Sequence, residues 1–301
     1  MNRKMYQWIS ELVRHQPEQT TERAWSAIGQ AVRERYQCGQ HRNNKLHFTS
    51  QDKFALRSDI KKELGIDPFE TRQLPASRLQ VAEYHDNEKL AKNPASHDHV
   101  LVNSPSGMLN LNGRHIQLHT DVVPAAGMLC LSSEIKHIDH SAIVVVENLS
   151  IMACCNTLKI PAQINSALWI YRGDYKSGAK IDACHALLNR FGNDKEIIVF
   201  SDMDPKGLEI ALTIGNARYW LGPEASTWST CLKSKVASPS GYDSQGVAMN
   251  YLLKQRDAGY LSEPFNELIS LLNTKRSSYR QEHSYAHNIP LALFSIKRPQ
   301  N

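Results

Sequence analysis

The segment Ser201–Ala211 reads SDMDPKGLEIA and follows the apolar run Ile197–Phe200. It places two carboxylates, Asp202 and Asp204, two residues apart where a buried strand gives way to a turn. In extended backbone, side chains at i and i+2 point to the same side, so both acids can reach one ligand. Like charges that close repel unless something positive lies between them. All-oxygen donors suit a hard divalent cation, Mg2+ or Mn2+. Such an ion polarises a phosphoryl oxygen and lowers the pKa of a bound water, which is phosphate chemistry. The same residues also spell a helix start, with Asp204 as N-cap and Pro205 at the first helical position. For a lone D-x-D that second reading is the commoner one. A third acid shifts the balance: Glu147 closes another apolar run, Ala142–Val146.

Elements able to bring the three acids together are legible between residues 141 and 223. The runs Ala142–Val146, Ala167–Tyr171, Glu196–Phe200 and Ala217–Leu221 alternate with the helix-length segments Leu149–Leu158, Ser177–Phe191 and Lys206–Gly215. Strands apolar on both faces, alternating with helices, predict an α/β fold with a mainly parallel, Rossmann-like sheet. Its carboxyl edge, where open parallel sheets bind ligands, is the edge that Glu147, Asp202 and Asp204 would share. Asp174 and Glu209 are near enough in sequence to serve a second metal, although a turn cap and a solvent-facing acid are the simpler readings.

Upstream, residues 5–38 carry apolar positions at helical spacing (Tyr6, Ile9, Leu12, Val13; Trp25, Ile28, Val32, Tyr36), interrupted by HQPEQTT, which predicts two helices. Next come a helix capped by Ser50 and a second from Ser58 to Gly65, then the strand-like HVLVNS and RHIQLH. That order predicts a winged helix-turn-helix, with Lys53, Arg57, Lys61 and Lys62 either meeting DNA or lining a solvated face. The expected division is a helical region at 1–46, the winged-helix region at 47–139, and the α/β domain with a helical extension at 140–301. STWSTCLKSKVASPSGYDSQG reads as a surface excursion, 245–274 as helical, and the end as basic (Lys275, Arg276, Arg280, Lys297, Arg298).

The formal charge of +5 permits a polyanionic partner without requiring one. Six cysteines without metal-site spacing read as thiols in a reducing compartment. With no apolar leader and no run long enough to span a bilayer, the sequence predicts a cytoplasmic protein with no membrane partner.

Val145-Val146-Glu147-Asn148, then Trp169-Ile170-Tyr171-Arg172-Gly173-Asp174-Tyr175-Lys176, then Asp202-x-Asp204-Pro205-x-Gly207-x-x-Ile210 resemble the three motifs of the Toprim domain. Within that superfamily the chain is most similar to the topoisomerase VI A subunit and meiotic double-strand-break branch, and to the nuclease subunit (JetD) of Wadjet plasmid-defence systems. Asn148 after the glutamate matches the defence nucleases. The second motif departs from the G-K-G-Y-P turn of the topoisomerase branch. The resemblance covers roughly residues 140–223.

It implies a Mg2+-dependent (or Mn2+-dependent) site cutting DNA, with Glu147 as metal ligand or general acid/base and Asp202 and Asp204 holding the ion. In the topoisomerase branch a tyrosine attacks the DNA. The nearest text here is Val32-Arg33-Glu34-Arg35-Tyr36-Gln37, whose single Tyr36 also continues the apolar stripe from Val32. Without that nucleophile the chemistry defaults to hydrolysis by metal-activated water. The expectation is a Toprim nuclease of an SMC-like, Wadjet-type defence system, with DNA and SMC/kleisin-like condensin subunits as partners and a homodimer to cut both strands. The alternatives are a topoisomerase VI A-like protein using Tyr36 and a non-catalytic DNA-binding scaffold.

Overall fold

A computed structural model describes residues 1–72, 74, 81–82, 91, 95–118, 126–174 and 177–297. Tyr175 and Lys176 of the second motif and Arg298 of the basic tail lie outside these residues. The chain divides into two compact units, Met1–Ala95 and Ser96–Asn301.

The first unit begins with α1 (Arg3–Arg14), β1 (Thr21–Ala24), α2 (Ala27–Tyr36), β2 (Gln40–Arg42), β3 (Lys45–Phe48) and α3 (Ser50–Leu64). The three strands form an antiparallel sheet in the order β1-β3-β2. Apolar faces of α1 (Tyr6, Ile9, Leu12), α2 (Val32) and α3 (Leu56, Ile60) meet Leu46 and Phe48 in one core. The two helices expected between 5 and 38 are present, with Asn2 and Ser26 as N-caps. A helix-turn-helix between 50 and 65 is not. Residues 50–64 form a single helix, capped by Thr49 and Asp52 in a reciprocal box and ended by Gly65 in the left-handed conformation. Ser58 is interior to it, because Phe54-Ala55-Leu56-Arg57 ahead of it contains no helix breaker. Lys53 is 2% exposed. Its ammonium donates to the carbonyls of His15, Gln16 and Gln19 and to Thr21 Oγ1.

In the second unit, β4 (His99–Asn103), the hairpin β5 (Met108–Leu111) and β6 (Arg114–Gln117), and β7 (Met128–Leu131) precede the α/β region. There follow β8 (Ala142–Val146), α4 (Leu149–Ala153), β9 (Leu168–Tyr171), α5 (Ile181–Phe191), β10 (Glu196–Phe200), α6 (Pro205–Thr213) and β11 (Ala217–Pro223). The chain continues through α7 (Trp228–Lys233), α8 (Pro239–Asp243), α9 (Gly246–Asp257), α10 (Glu263–Lys275), α11 (Gln281–Ala286) and β12 (Leu291–Ser295). One seven-stranded sheet runs β12-β11-β10-β8-β9-β4-β7. Strands β9, β8, β10 and β11 are parallel, and antiparallel partners flank them on both sides.

Side chains alternate between two cores, as a period-2 strand buried on both faces requires. Ile143, Val145, Ile197 and Val199 meet Leu187 of α5, Leu208 of α6 and Phe265 and Leu268 of α10. Val144, Val146, Trp169, Ile198 and Phe200 meet Ile151 and Met152 of α4. The four expected strands and their intervening helices are thus present, the strands parallel to one another within a mixed sheet. His99–Asn103 is a strand of this sheet and not a wing, whereas Arg114–Gln117 closes a separate two-stranded hairpin. The expected excursion at 226–246 contains α7 and α8, which bury Trp228, Cys231, Leu232 and Tyr242. Among the described residues no helix is long and apolar enough to cross a membrane.

Candidate metal centre

The order of the parallel strands decides where a ligand can enter. From β8 the chain leaves through α4 on one face to reach β9. From β9 it returns through α5 on the other face, passing over β8 to β10. Connections from β8 and β10 therefore depart on opposite faces, opening a crevice outside their carboxyl ends. Glu147 follows β8 and Asp202 lies two residues beyond β10, one on each side of that crevice.

The backbone draws them together. Val146 pairs with Phe200 in register, and the Glu147 amide donates to Phe200 O at 3.0 Å. The Asp202 amide then donates to Glu147 Oε2 at 3.2 Å, and Asp202 Oδ1 accepts from the Gln281 amide at 2.8 Å. Among the described residues, Glu147 Oε1 and Asp202 Oδ2 have no protein donor. Burial, reinforced by the charge on Asp204, pushes the Glu147 carboxyl up; the Asp202 amide, Arg172 and Lys206 pull it back. Burial and then the charge of Glu147, with smaller contributions from Asp204 and Glu282, push Asp202 up to about 8 against the amide of Gln281. Desolvation and mutual repulsion thus favour the protonated form of each half-buried acid.

Asp204 is placed differently. It is 6% exposed, and its own carboxylate, not only its backbone, caps α6: Oδ1 accepts from the Gly207 amide at 2.7 Å. Oδ2 accepts from Gln245 Nε2 at 2.7 Å, while Gln245 Oε1 accepts from the Lys206 amide at 2.8 Å. Gly207 is required because a Cβ there would collide with Asp202 O. The D-x-D-P-x-G string thus folds a helix N-terminus hard against the strand end that carries Asp202. Among the described residues no three His, Cys, Asp or Glu side chains are grouped to hold an ion together. Two oxygen donors with free lone pairs still fit Mg2+, which keeps several waters and is commonly bound by one or two carboxylates plus substrate phosphate.

Asp174 accepts from Tyr171 Oη at 2.7 Å and from the Ser177 amide, anchoring the turn after β9. Glu209 is half-buried and pairs with Lys206. Tyr36, in the N-terminal unit, donates to Glu63 Oε2 at 2.6 Å. Burial and that bond push its phenol well above the usual tyrosine range, the opposite of what an activated nucleophile needs.

Residues that were not candidate ligands in the sequence lie near the pair. Met203 and Tyr279 exchange backbone hydrogen bonds at 2.9 and 3.1 Å, fastening the segment before α11 to the D-x-D loop. This brings in Gln281, 1% exposed with Oε1 and Nε2 both unpartnered, and Glu282, whose Oε2 is buried without a partner. Arg172, at the end of β9, has a buried, unpartnered Nε and acts electrostatically on Glu147. Buried polar atoms are nearly always satisfied, so such a set beside two acids marks a place for an ion, water or phosphate oxygen. Only the acid-to-strand-end pattern of Glu147 and Asp202 was readable; nothing local in RQEHSYA announces its distant contact.

A family model described as a domain of unknown function (DUF7281) matches residues 97–293, about two thirds of the chain. The chain belongs to the DUF7281 family. The matched span begins one residue inside the second compact unit and contains every residue of the carboxylate crevice, including Gln281 and Glu282. No curated protein matches the chain.

Proposed function

We propose that this DUF7281 protein is a Mg2+- or Mn2+-dependent DNA endonuclease of Toprim type, the cleaving subunit of an SMC-like, Wadjet-type defence system. The observation that carries the reading is the juxtaposition of Glu147 and Asp202 across the switch-point crevice, each with an unengaged carboxylate oxygen. Resemblance of the three motifs to Toprim nucleases supports the choice of DNA phosphodiesters as substrate.

In this reading Glu147 and Asp202 hold the ion, and Asp204 fixes the α6 terminus that positions Asp202. When bound, the metal would polarise a phosphoryl oxygen and acidify a water. Glu147, its carboxyl already raised by burial, is suited to accept that water's proton or to return one to the leaving oxygen. Arg172, beside Glu147, supplies a guanidinium for a phosphate oxygen. Cleavage of both strands calls for two such sites, hence a homodimer, and SMC/kleisin-like condensin subunits would deliver the DNA. The protein would act in the cytoplasm.

The test is nicking of supercoiled plasmid by the purified protein with Mg2+ or Mn2+. Glu147→Ala and Asp202→Ala are each expected to lower the rate at least ~100-fold, the scale of removing a metal ligand or a general acid/base. Activity that survives both substitutions refutes the assignment.

A further inference from the structure

The N-terminal unit holds a cleft of about 520 Å3 whose lining is unusually basic. Arg14 in the last turn of α1, His15 just beyond it, Arg23 of β1 and Arg72 border it, against one carboxylate, Glu11. Two of the guanidinium groups have buried nitrogens with nothing to donate to: Nη2 of Arg14 and Nε of Arg23. Such donors carry a desolvation penalty unless an acceptor reaches them.

The obvious acceptors are already occupied. The carbonyls of His15 and Gln16, at the end of α1, receive Lys53 Nζ at 2.8 and 2.9 Å. Arg14 uses only its Nε locally, donating to Pro68 O at 3.3 Å, and its guanidinium lies 5.8 Å from the Phe69 ring centroid. The guanidinium is therefore oriented at the cleft wall, with Nη2 turned inward, buried and met by no acceptor among the described residues. Burial, and behind it the charge of Arg23, lowers the Lys53 pKa, and its amine is taken up by the His15 and Gln16 carbonyls, leaving the guanidinium groups as the cations that border the cleft. The result is a cleft bordered by three guanidinium side chains against one carboxylate, with room for a small-molecule-sized ligand.

We propose that this cleft binds a phosphate group, gripped by Arg14 and Arg23, with exposed Arg72 adding charge and His15 bordering it. Guanidinium forks match phosphate oxygens in number and geometry, which an ammonium does not. The phosphate can belong to a nucleic-acid backbone or to a free nucleotide. The inference stands on the N-terminal unit alone and does not rest on the metal-centre reading.

The full-length chain, with EDTA present to silence the metal centre, is titrated with inorganic phosphate, ADP and a short DNA duplex at matched ionic strength. Wild type and Arg14→Gln/Arg23→Gln are compared by calorimetry. The expected result is at least ~10-fold weaker binding of one probe class in the double variant, corresponding to loss of a charge-assisted contact. Loss confined to phosphate and ADP identifies a free nucleotide as the ligand. Loss of duplex binding, with a salt slope shallower by about one per contact removed, identifies the nucleic-acid backbone. Equal binding of all three probes by both proteins, or no binding to wild type, overturns the proposal. If the double variant does not fold, phenylglyoxal labelling of wild type decides the matter: the binding probe must protect Arg14 and Arg23, and their unchanged labelling overturns the proposal equally.

Discussion

Replacing Asp202 by Asn is expected to stabilise the metal-free protein at alkaline pH and to abolish its response to Mg2+. The folded-state carboxyl titrates at about 8 against an ordinary 3.8. A raised acid pKa means the folded state holds the proton more tightly than the unfolded chain does. Stability contributed by the protonated form is therefore lost as pH climbs from about 4 to about 8, and the full penalty stands above that window. At about 1.36 kcal/mol per unit the shift is worth at most roughly 6 kcal/mol. Water entering the crevice screens part of it, leaving an expected ~2–4 kcal/mol. Asn keeps the Oδ1 acceptor for the Gln281 amide, 2.8 Å away in the wild type, so the charge is what the substitution removes. Unfolding of both proteins is followed in EDTA at about pH 4.5 and about pH 8.5, then with Mg2+ added. The advantage of Asp202→Asn should be small at the lower pH and reach ~4–12 °C in midpoint at the higher one. Mg2+ should raise the midpoint of wild type only. An Asn variant no more stable at high pH than at low, or one that Mg2+ still stabilises as much as wild type, refutes the reasoning.

Four further outcomes follow from the same geometry. Gly207→Ala forces a Cβ against Asp202 O and should cost at least ~2 kcal/mol in urea unfolding while weakening the Mg2+ response, because the α6 terminus must shift. Gln245→Ala removes the donor to Asp204 Oδ2 and should cost ~1–3 kcal/mol, with slower nicking as the D-x-D loop loosens. Lys53→Met strands three carbonyls and a hydroxyl in the N-terminal unit, so a loss of ~3 kcal/mol or more is expected by chemical denaturation. Tyr36→Phe deletes the bond to Glu63 at ~1–2 kcal/mol but should leave nicking unchanged, with no protein covalently attached to cut DNA ends in either protein.

Legibility of the fold followed the length scale of its causes. β8, β9 and, after its exposed first residue Glu196, β10 are apolar runs buried on both faces, so the physical reason for each strand is contained in its own residues. Pro205 and Gly207 likewise announce α6 locally. Trp228, Cys231 and Leu232 of α7 stand at i, i+3 and i+4, yet Ser229 and Thr230 between them and Lys233 after them dilute the pattern to that of a loop. Ser58 imitated a helix start although the chain before it had no reason to stop. Long-range pairings left no trace at all. That Val102 and Asn103 pair with Ile170 and Trp169, or that Tyr279 bonds to Met203, depends on how separate segments share one sheet edge. For the site this meant that Glu147 and Asp202 were readable as strand-end acids, whereas Gln245, Gln281 and Glu282 were not.

In the proposed reading the two roles of D-x-D fall to different acids. Asp204 satisfies a helix terminus and receives two donors, the arrangement of a structural residue. Asp202 receives one backbone donor and faces Glu147, Asp204 and Glu282 in low-dielectric surroundings. If the edge were only architecture, Asn at 202 and Gln at 147 would preserve the backbone hydrogen bonds to Gln281 and Asp202 while relieving the repulsion. Because both carboxyls are raised in the fold, retaining them costs the metal-free protein stability as pH rises, relative to those neutral alternatives. Acids side by side with carboxyls raised in this way are candidates to hold a ligand of opposite sign. That physical asymmetry, more than the motif's resemblance, weighs against the non-catalytic scaffold and in favour of a cation between Glu147 and Asp202.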